Sequence, residues 1–377
     1  MAPRLSHALW SAAALALLHG CGSTPGQKPA ELTEFKPTAT LKPLWQGSVE
    51  SAEKYVFFPR AVGSVVYAVG AEGSVTAFDK SRGSATAHAS ASERVSGGVG
   101  VGGGLVLLGT PRGRVLAFDR EGKPLWQAQL SSEVLAPPEA QEGFVVARTG
   151  DGRIHGLDAA TGKNRWVYQR ATPALSVRTH AGLVIVQGGV FAGFPGGRLV
   201  ALALSNGNIG WEGVVALPRG TTELERVADV TSLPVVDGKQ VCAAAFQGRV
   251  ACFEASRGTL LWARDVSSVA GIATDARHLY VTDDRSAVQA LDKTSGASIW
   301  RQDKLAGRNV SGPLALGRHV VVGDLEGYVH VVSREDGSFA ARIETDGSAI
   351  LAPPIALDAA SFLVQTRAGG IYAFTVQ

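Results

Sequence analysis

Cysteine, methionine and charge are the scarce components of this chain. Its 377 residues include three Cys and one Met. Three cysteines cannot build the disulfide framework of a small secreted scaffold. Charged residues make up only 18%, and 36 Lys+Arg against 33 Asp+Glu leave a formal net charge of +3. No Lys/Arg cluster of the kind that tracks phosphates occurs, which sets nucleic-acid binding aside. Small net charge together with 45% hydrophobic residues excludes a disordered chain. No His-Glu-x-x-His or comparable ligand spacing is present among the eight His, and no Gly-x-Ser-x-Gly nucleophile elbow occurs. Glycine, by contrast, is abundant at 46 residues, beside 17 Pro. That composition suits a turn-rich β domain with ample core.

One pattern recurs along the chain: Gly, an apolar alternation ending in Phe/Leu-Asp, a turn, Gly, three residues, Trp. The clearest copy is Gly152-Arg153-Ile154-His155-Gly156-Leu157-Asp158, then Thr161-Gly162 and Trp166. Other copies centre on Gly73–Asp79, Gly113–Asp119, Gly197–Ala203, Gly248–Glu254, Ser286–Asp292, Gly327–Ser333 and Gly370–Phe374. Gly and Trp keep a four-residue offset at Gly122/Trp126, Gly162/Trp166, Gly207/Trp211, Gly258/Trp262 and Gly296/Trp300, with Ala87 and Ala341 in the Trp place of two copies. Alternation such as Arg114-Val115-Leu116-Ala117-Phe118 has the period of a strand. Units of about forty residues, each with several short strands, suit four-stranded propeller blades. The fold expected is therefore all-β, an eight-bladed β-propeller over residues 43–377. The eighth copy stops at Gln377 without its Trp end, and Pro43-Leu44-Trp45-Gln46 supplies the missing piece. The N-terminal strand should complete the last blade and close the ring, removing open edges. The repeated Trp should pack between neighbouring blades, its N–H seeking an acceptor.

The first twenty residues read as a signal peptide: Arg4 precedes an apolar run, Ala8 to Leu18, too short to cross a bilayer as a helix. The run ends in Leu18-His19-Gly20-Cys21, which resembles the bacterial lipobox, although His19 stands where a small residue is usual. That resemblance implies lipidation of Cys21, and Gly22 after it implies the periplasmic face of the outer membrane. More than one acyl chain would give stable anchoring. Residues 21–42, rich in Gly, Pro, Ser and Thr, read as a flexible tether.

Ala/Gly-x-Asp-x-x-Thr/Ser-Gly-x-x-x-Trp, clearest at Gly156–Trp166 and Ala290–Trp300, resembles the repeat of the quinoprotein-dehydrogenase-like eight-bladed propellers. That likeness is specific for the fold, not for an activity. A narrower likeness lies in the stretched interval from Trp211 to Trp262, whose extra segment is Gly220-Thr221-Thr222-Glu223-Leu224-Glu225-Arg226-Val227-Ala228-Asp229-Val230. With the lipobox, Leu175-Ser176-Val177-Arg178 and Gly323-Asp324-Leu325-Glu326-Gly327-Tyr328, the chain is similar to the BamB lipoprotein family of the β-barrel assembly machinery. The resemblance implies a non-catalytic scaffold without a cofactor. It implies binding to the POTRA domains of BamA and support of outer-membrane protein insertion, with nascent outer-membrane proteins as further candidate partners. Carried over residue by residue, Leu175, Val177 and Arg178 match the family's Leu-Ser-Leu-Arg loop, and Asp229 its first acidic place. Thr231 stands where the family can carry a second acid. An apolar pair beside an Arg suits an interface anchor with an orienting charge.

Two rivals share most of these features: a scaffold for another envelope complex, and a pyrroloquinoline-quinone-dependent dehydrogenase. The vicinal Cys-Cys of the alcohol-oxidising members of that enzyme class is absent. Cys242 and Cys252 lie symmetrically about Gln247, as across a hairpin, and are open to a bridge or to two buried thiols. The reading taken is free thiols. Gly98-Val99-Gly100-Val101-Gly102-Gly103 matches a dinucleotide fingerprint in form, but it has no strand-to-helix setting and reads as a turn. His155 and His330 occupy equivalent repeat positions and read as strand residues. Asp79, Asp119, Asp158 and Asp292 recur at one repeat position and read as turn caps.

Overall fold

A computed structural model describes residues 28–377 other than Thr172, Ala174 and Thr179. The signal peptide and Cys21 lie outside the described residues. Among those described, the regular elements are all strands, and they form eight four-stranded antiparallel sheets. Blades 1 to 7 span Arg60–Ser90, Gly97–Gln129, Glu139–Gln169, Leu183–Val214, Val235–Arg264, Gly271–Gln302 and Leu314–Glu344. Each runs from its inner to its outer strand in chain order. Blade 8 takes three strands from Ile355–Val376 and its outermost from Leu41–Ser48. That strand pairs antiparallel with Gly370–Val376, from Leu41 opposite Val376 to Ser48 opposite Gly370. The ring is closed by its two termini, as the truncated eighth repeat requires.

The two middle strands of each blade are buried on both faces, because a blade lies against each of them. In Arg153–Asp158, for instance, Ile154 and Leu157 are fully buried although their side chains point to opposite faces. The outer strands are far more exposed, except at the start of blade 7's, and each carries a bulge. In blade 3, Gly156 pairs with Trp166 and Leu157 with Asn164, so Arg165 is left out of the ladder.

Tryptophans lock six of the eight blades to the next, Ala87 and Ala341 standing in their place in blades 1 and 7. Trp166 Nε1 donates to Leu204 O at 2.8 Å, and its ring lies over Gly207, where a Cβ would come within 2.5 Å. Gly207 also has φ +72°, so no other residue fits there without strain. The same N–H-to-carbonyl bond recurs from Trp45 to Lys80, Trp126 to Ala159, Trp211 to Ala255, Trp262 to Lys293 and Trp300 to Arg334.

The structure corrects three sequence readings. Cys242 and Cys252 are disulfide-bonded, not free thiols. They sit directly opposite one another on adjacent strands, Cα atoms 4.0 Å apart and fully buried, so the pleat itself aims one sulfur at the other. Gly97–Gly102 is the inner strand of blade 2, and the turn falls at Gly103 and Gly104. Its glycines answer to close approach: a Cβ on Gly100 would lie 1.8 Å from Pro138 O of the adjoining blade. Finally, residues 28–40 are not a free tether. They lie along blade 7 and reach blade 8, Phe35 packed at a tilt against Phe339 and Thr40 exchanging backbone hydrogen bonds with Gln377.

Candidate partner-binding face

The connections from outer strand to next inner strand gather at one end of the ring. Two are long: 170–182, between blades 3 and 4, and 215–234, between blades 4 and 5. Leu175 is exposed at the first, and Arg178 beside it is exposed too, held loosely by Glu133 at 3.6 Å. Val177 is half-buried. The sequence-derived trio therefore sits on one accessible loop.

Asp229 reaches the same loop from the second connection, but its carboxylate is turned inward and is only 3% exposed. Oδ2 accepts the backbone N–H of Val177 at 2.7 Å, and Oδ1 accepts that of Gly196 at 2.9 Å. A buried carboxylate needs such donors. Its place is thus under the loop, fixing where Val177 and its neighbours stand. Thr231, in the second acidic place, is also buried, and its hydroxyl donates to Ser268 O at 3.2 Å. In blade 7's Gly323–Tyr328 segment the acid is internal while the turn tip is not: fully buried Asp324 accepts from Arg308 Nε at 2.7 Å, and Leu325 and Glu326 are exposed.

Arg148 was missed by sequence reasoning. It lies beneath the 170–182 loop, 9% exposed, with its guanidinium 5.2 Å from the Phe194 ring centre and Nη1 donating to Ala181 O at 3.4 Å. Burial brings its pKa down to about 10, with the Asp229 charge pulling the other way. The signal was in the repeats. Ladder-equivalent positions hold Val69, Gly109, Gly193, Ala244, Thr282, Gly323 and Gln365, and only blade 3 places a charge there. His180 nearby is held below the ordinary imidazole value by burial and by Arg178.

Beside this loop opens the mouth of the central channel, a cavity of about 500 Å³. Arg178, Leu233, Val269 and Pro353 line it, among residues from the inner strands of six blades. Leu233 and Val269 are 45% and 43% exposed. Deeper in, Arg60 of blade 1 pairs with Glu139 of blade 3, whose carboxyl burial pushes up against the pull of that Arg. Among the described residues no group of three His, Cys, Asp or Glu is placed to hold a metal ion. The arrangement offers an apolar rim with the exposed Arg178 guanidinium on it, the composition of a protein-binding surface.

Comparison with known proteins gives the family. The family model described as outer membrane protein assembly factor BamB matches residues 71–302 and 284–377. The BamB of Nitrosomonas eutropha is 45% identical over 349 residues, covering 92% of this chain and 85% of that protein. The crystal structure of BamB from Moraxella catarrhalis superposes with a TM-score of 0.82 at 25% identity, over 89% of this chain and all of that one. A quinohemoprotein alcohol dehydrogenase from Comamonas testosteroni shares the fold alone, with a TM-score of 0.72 at 15% identity over 89% of this chain and 76% of its own. The likeness to the dehydrogenases is one of architecture, whereas the relatives from Nitrosomonas eutropha, Burkholderia pseudomallei and Bordetella pertussis, at 42–45% identity, are named as outer membrane protein assembly factors. The chain belongs to the BamB family of outer membrane protein assembly factors.

Proposed function

We propose that this protein is a non-enzymatic scaffold of the β-barrel assembly machinery, held by a lipid on Cys21 at the periplasmic face of the outer membrane. In this reading it binds the POTRA domains of BamA through the 170–182 loop and so supports insertion of outer-membrane proteins. The observation that carries the site is the exposure of Leu175 and Arg178 on a loop whose backbone a buried carboxylate fixes. Leu175 and the apolar channel rim supply area to desolvate, and Arg178 supplies orientation and on-rate. Val177 is the half-buried shoulder between them. Asp229 acts by positioning the loop.

The test is a titration of the domain, residues 28–377, against purified POTRA domains of the same organism at two salt concentrations. Leu175→Ala should weaken binding at both. Arg178→Ala should weaken it more at low salt and flatten the salt dependence. Binding left intact by both variants would refute the site. No binding by the unaltered domain would refute the assignment of partner.

A further inference from the structure

The outer strands of the eight blades share one construction, and blade 7 departs from it. In each, the residue before the Trp place is bulged out of the ladder: Leu44, Thr86, Leu125, Arg165, Gly210, Leu261, Ile299 and Ala340. The first seven are exposed, as are the residues before them. In blade 7, Phe339 and Ala340 are instead buried, at 7% and 1%. What covers them is this chain's own N-terminal segment. The N–H groups of Thr38 and Ala39 both donate to Ala340 O, at 3.0 and 3.1 Å. A bulge leaves such a carbonyl without its ladder partner, and the segment supplies one. Phe35 packs on Phe339 with ring centres 5.3 Å apart, and the Arg342 guanidinium lies 5.1 Å from the Phe35 ring and 5.2 Å from that of Phe339.

Two arginines of blade 7's surroundings hold the segment by its backbone. Arg342 Nη1 donates to Thr33 O at 3.2 Å, and Arg308 Nη1 donates to Ala30 O at 3.0 Å. Arg308 is only 3% exposed and is itself fixed by Asp324 and Glu326, at 2.7 and 2.6 Å. Beneath them His330, fully buried, accepts from Arg342 Nε on Nδ1 at 3.2 Å. Arg can only donate, so Nε2 carries the proton and donates to Asp324 at 2.8 Å. The clamp is built into the blade; Ala30 N–H closes it on Ala306 O at 2.9 Å.

We propose that residues 28–40 are a strap that fixes where the lipid anchor leaves the propeller, so that the blade 6–7 rim is the side held toward the lipid surface. The second half of this inference rests on lipidation of Cys21. From Cys21 to Lys28 the chain can span at most about 25 Å, at roughly 3.5 Å per residue, whereas release of the strap back to Leu41 would allow about 70 Å. Clamping thus shortens the leash nearly threefold. It also leaves the 170–182 loop three blades round the ring from the clamp at the blade 6–7 junction, free for a partner.

Two readouts separate the parts. Hydrogen exchange on residues 22–377, which needs no lipid, should show protected amides at Ala30, Thr38 and Ala39. Phe35→Ser, a change on the strap alone, should abolish that protection and leave the strand amides of blades 1 to 6 unchanged. Free-chain exchange at Thr38 and Ala39 in the unaltered protein would overturn the strap. For the orientation, the full lipidated chain is placed in phosphatidylethanolamine/phosphatidylglycerol vesicles bearing an acceptor dye. A donor is attached through Leu325→Cys in blade 7 or Arg112→Cys in blade 2. Energy transfer should be several-fold greater from position 325 than from 112, and Phe35→Ser should level the two. Equal transfer in the unaltered strap would overturn the orientation. A mass showing Cys21 without lipid would refute the anchor reading, and the orientation with it, while leaving the exchange result to decide the strap.

Discussion

A carboxylate that reads as an interface charge in one dimension can be a loop brace in three. Asp229 is such a residue: both its oxygens accept backbone N–H groups, from Val177 and Gly196. Asn at this position can offer only one acceptor oxygen and leaves one buried N–H short, a loss of about 1–3 kcal/mol. Asp229→Asn should therefore lower stability in urea titration and weaken POTRA binding by loosening the loop. Because its charge is not at the surface, the salt dependence of binding should keep its slope. A flattened slope, like that expected of Arg178→Ala, would instead make Asp229 a contact. A second carboxylate predicts a pH effect. Burial pushes Asp275 up, but donors at Arg277 N, Tyr280 Oη and His278 N prevail and hold it at about 2. Its folded pKa lies below the unfolded value near 3.8, so its stabilisation is complete above pH 4 and lost as pH falls toward 2. The melting-temperature gap between the unaltered protein and Asp275→Asn should be full at pH 7 and close between pH 4 and 2. A gap unchanged across that window would show that the carboxylate's charge contributes nothing.

At the scale of elements, the disulfide joins two strands that the blade 5 hairpin has already brought together. A bridge acts mainly by restricting the unfolded chain, and closing a loop this short is worth up to about 3 kcal/mol. Cys242→Ala with Cys252→Ala should lower the melting temperature by a few degrees while all eight blades persist, as read by exchange protection across the strands. Mass spectrometry after alkylation without reductant, in denaturant, should find neither sulfur modified. Modification of either would restore the free-thiol reading. The sequence showed the hairpin but not the bridge, because bridging depends on whether the two residues fall opposite one another at close separation. That register is set by the turn after Ala244, where Gln247 takes φ +47°. Repeats, Trp spacing and the broken eighth unit were legible because each blade repeats one packing solution. The strap was not, because Pro and Thr in residues 28–40 have the composition of a linker. Its one signature lay 300 residues away, where Phe339-Ala340-Ala341 replaces the usual exposed pair and Trp. The candidate loop was legible by likeness, but Arg148 beneath it could be found only by laying the eight ladders side by side.

For the whole molecule, the decisive joint is the one between the termini. Leu41–Ser48 pairs with Gly370–Val376 along its length, and Trp45 carries the inter-blade lock to blade 1 through Lys80 O and the face of Gly83. Without that strand, Gly370–Val376 becomes an open edge, and the Phe78 face on which Trp45 stacks is exposed. A chain beginning at residue 49 should therefore unfold at lower denaturant than one beginning at residue 28, and should associate through the free edge in sedimentation. The peptide Leu41–Ser48 added in trans should reverse both effects, since it restores the ladder and the Trp together. A chain beginning at residue 41 separates closure from the strap: it keeps the joint, so its midpoint should stay near that of the longer chain. If instead removal of 28–40 alone cost as much as removal of 28–48, the strap would be the element that closes the ring. The antiparallel pairing of the two termini would then be secondary.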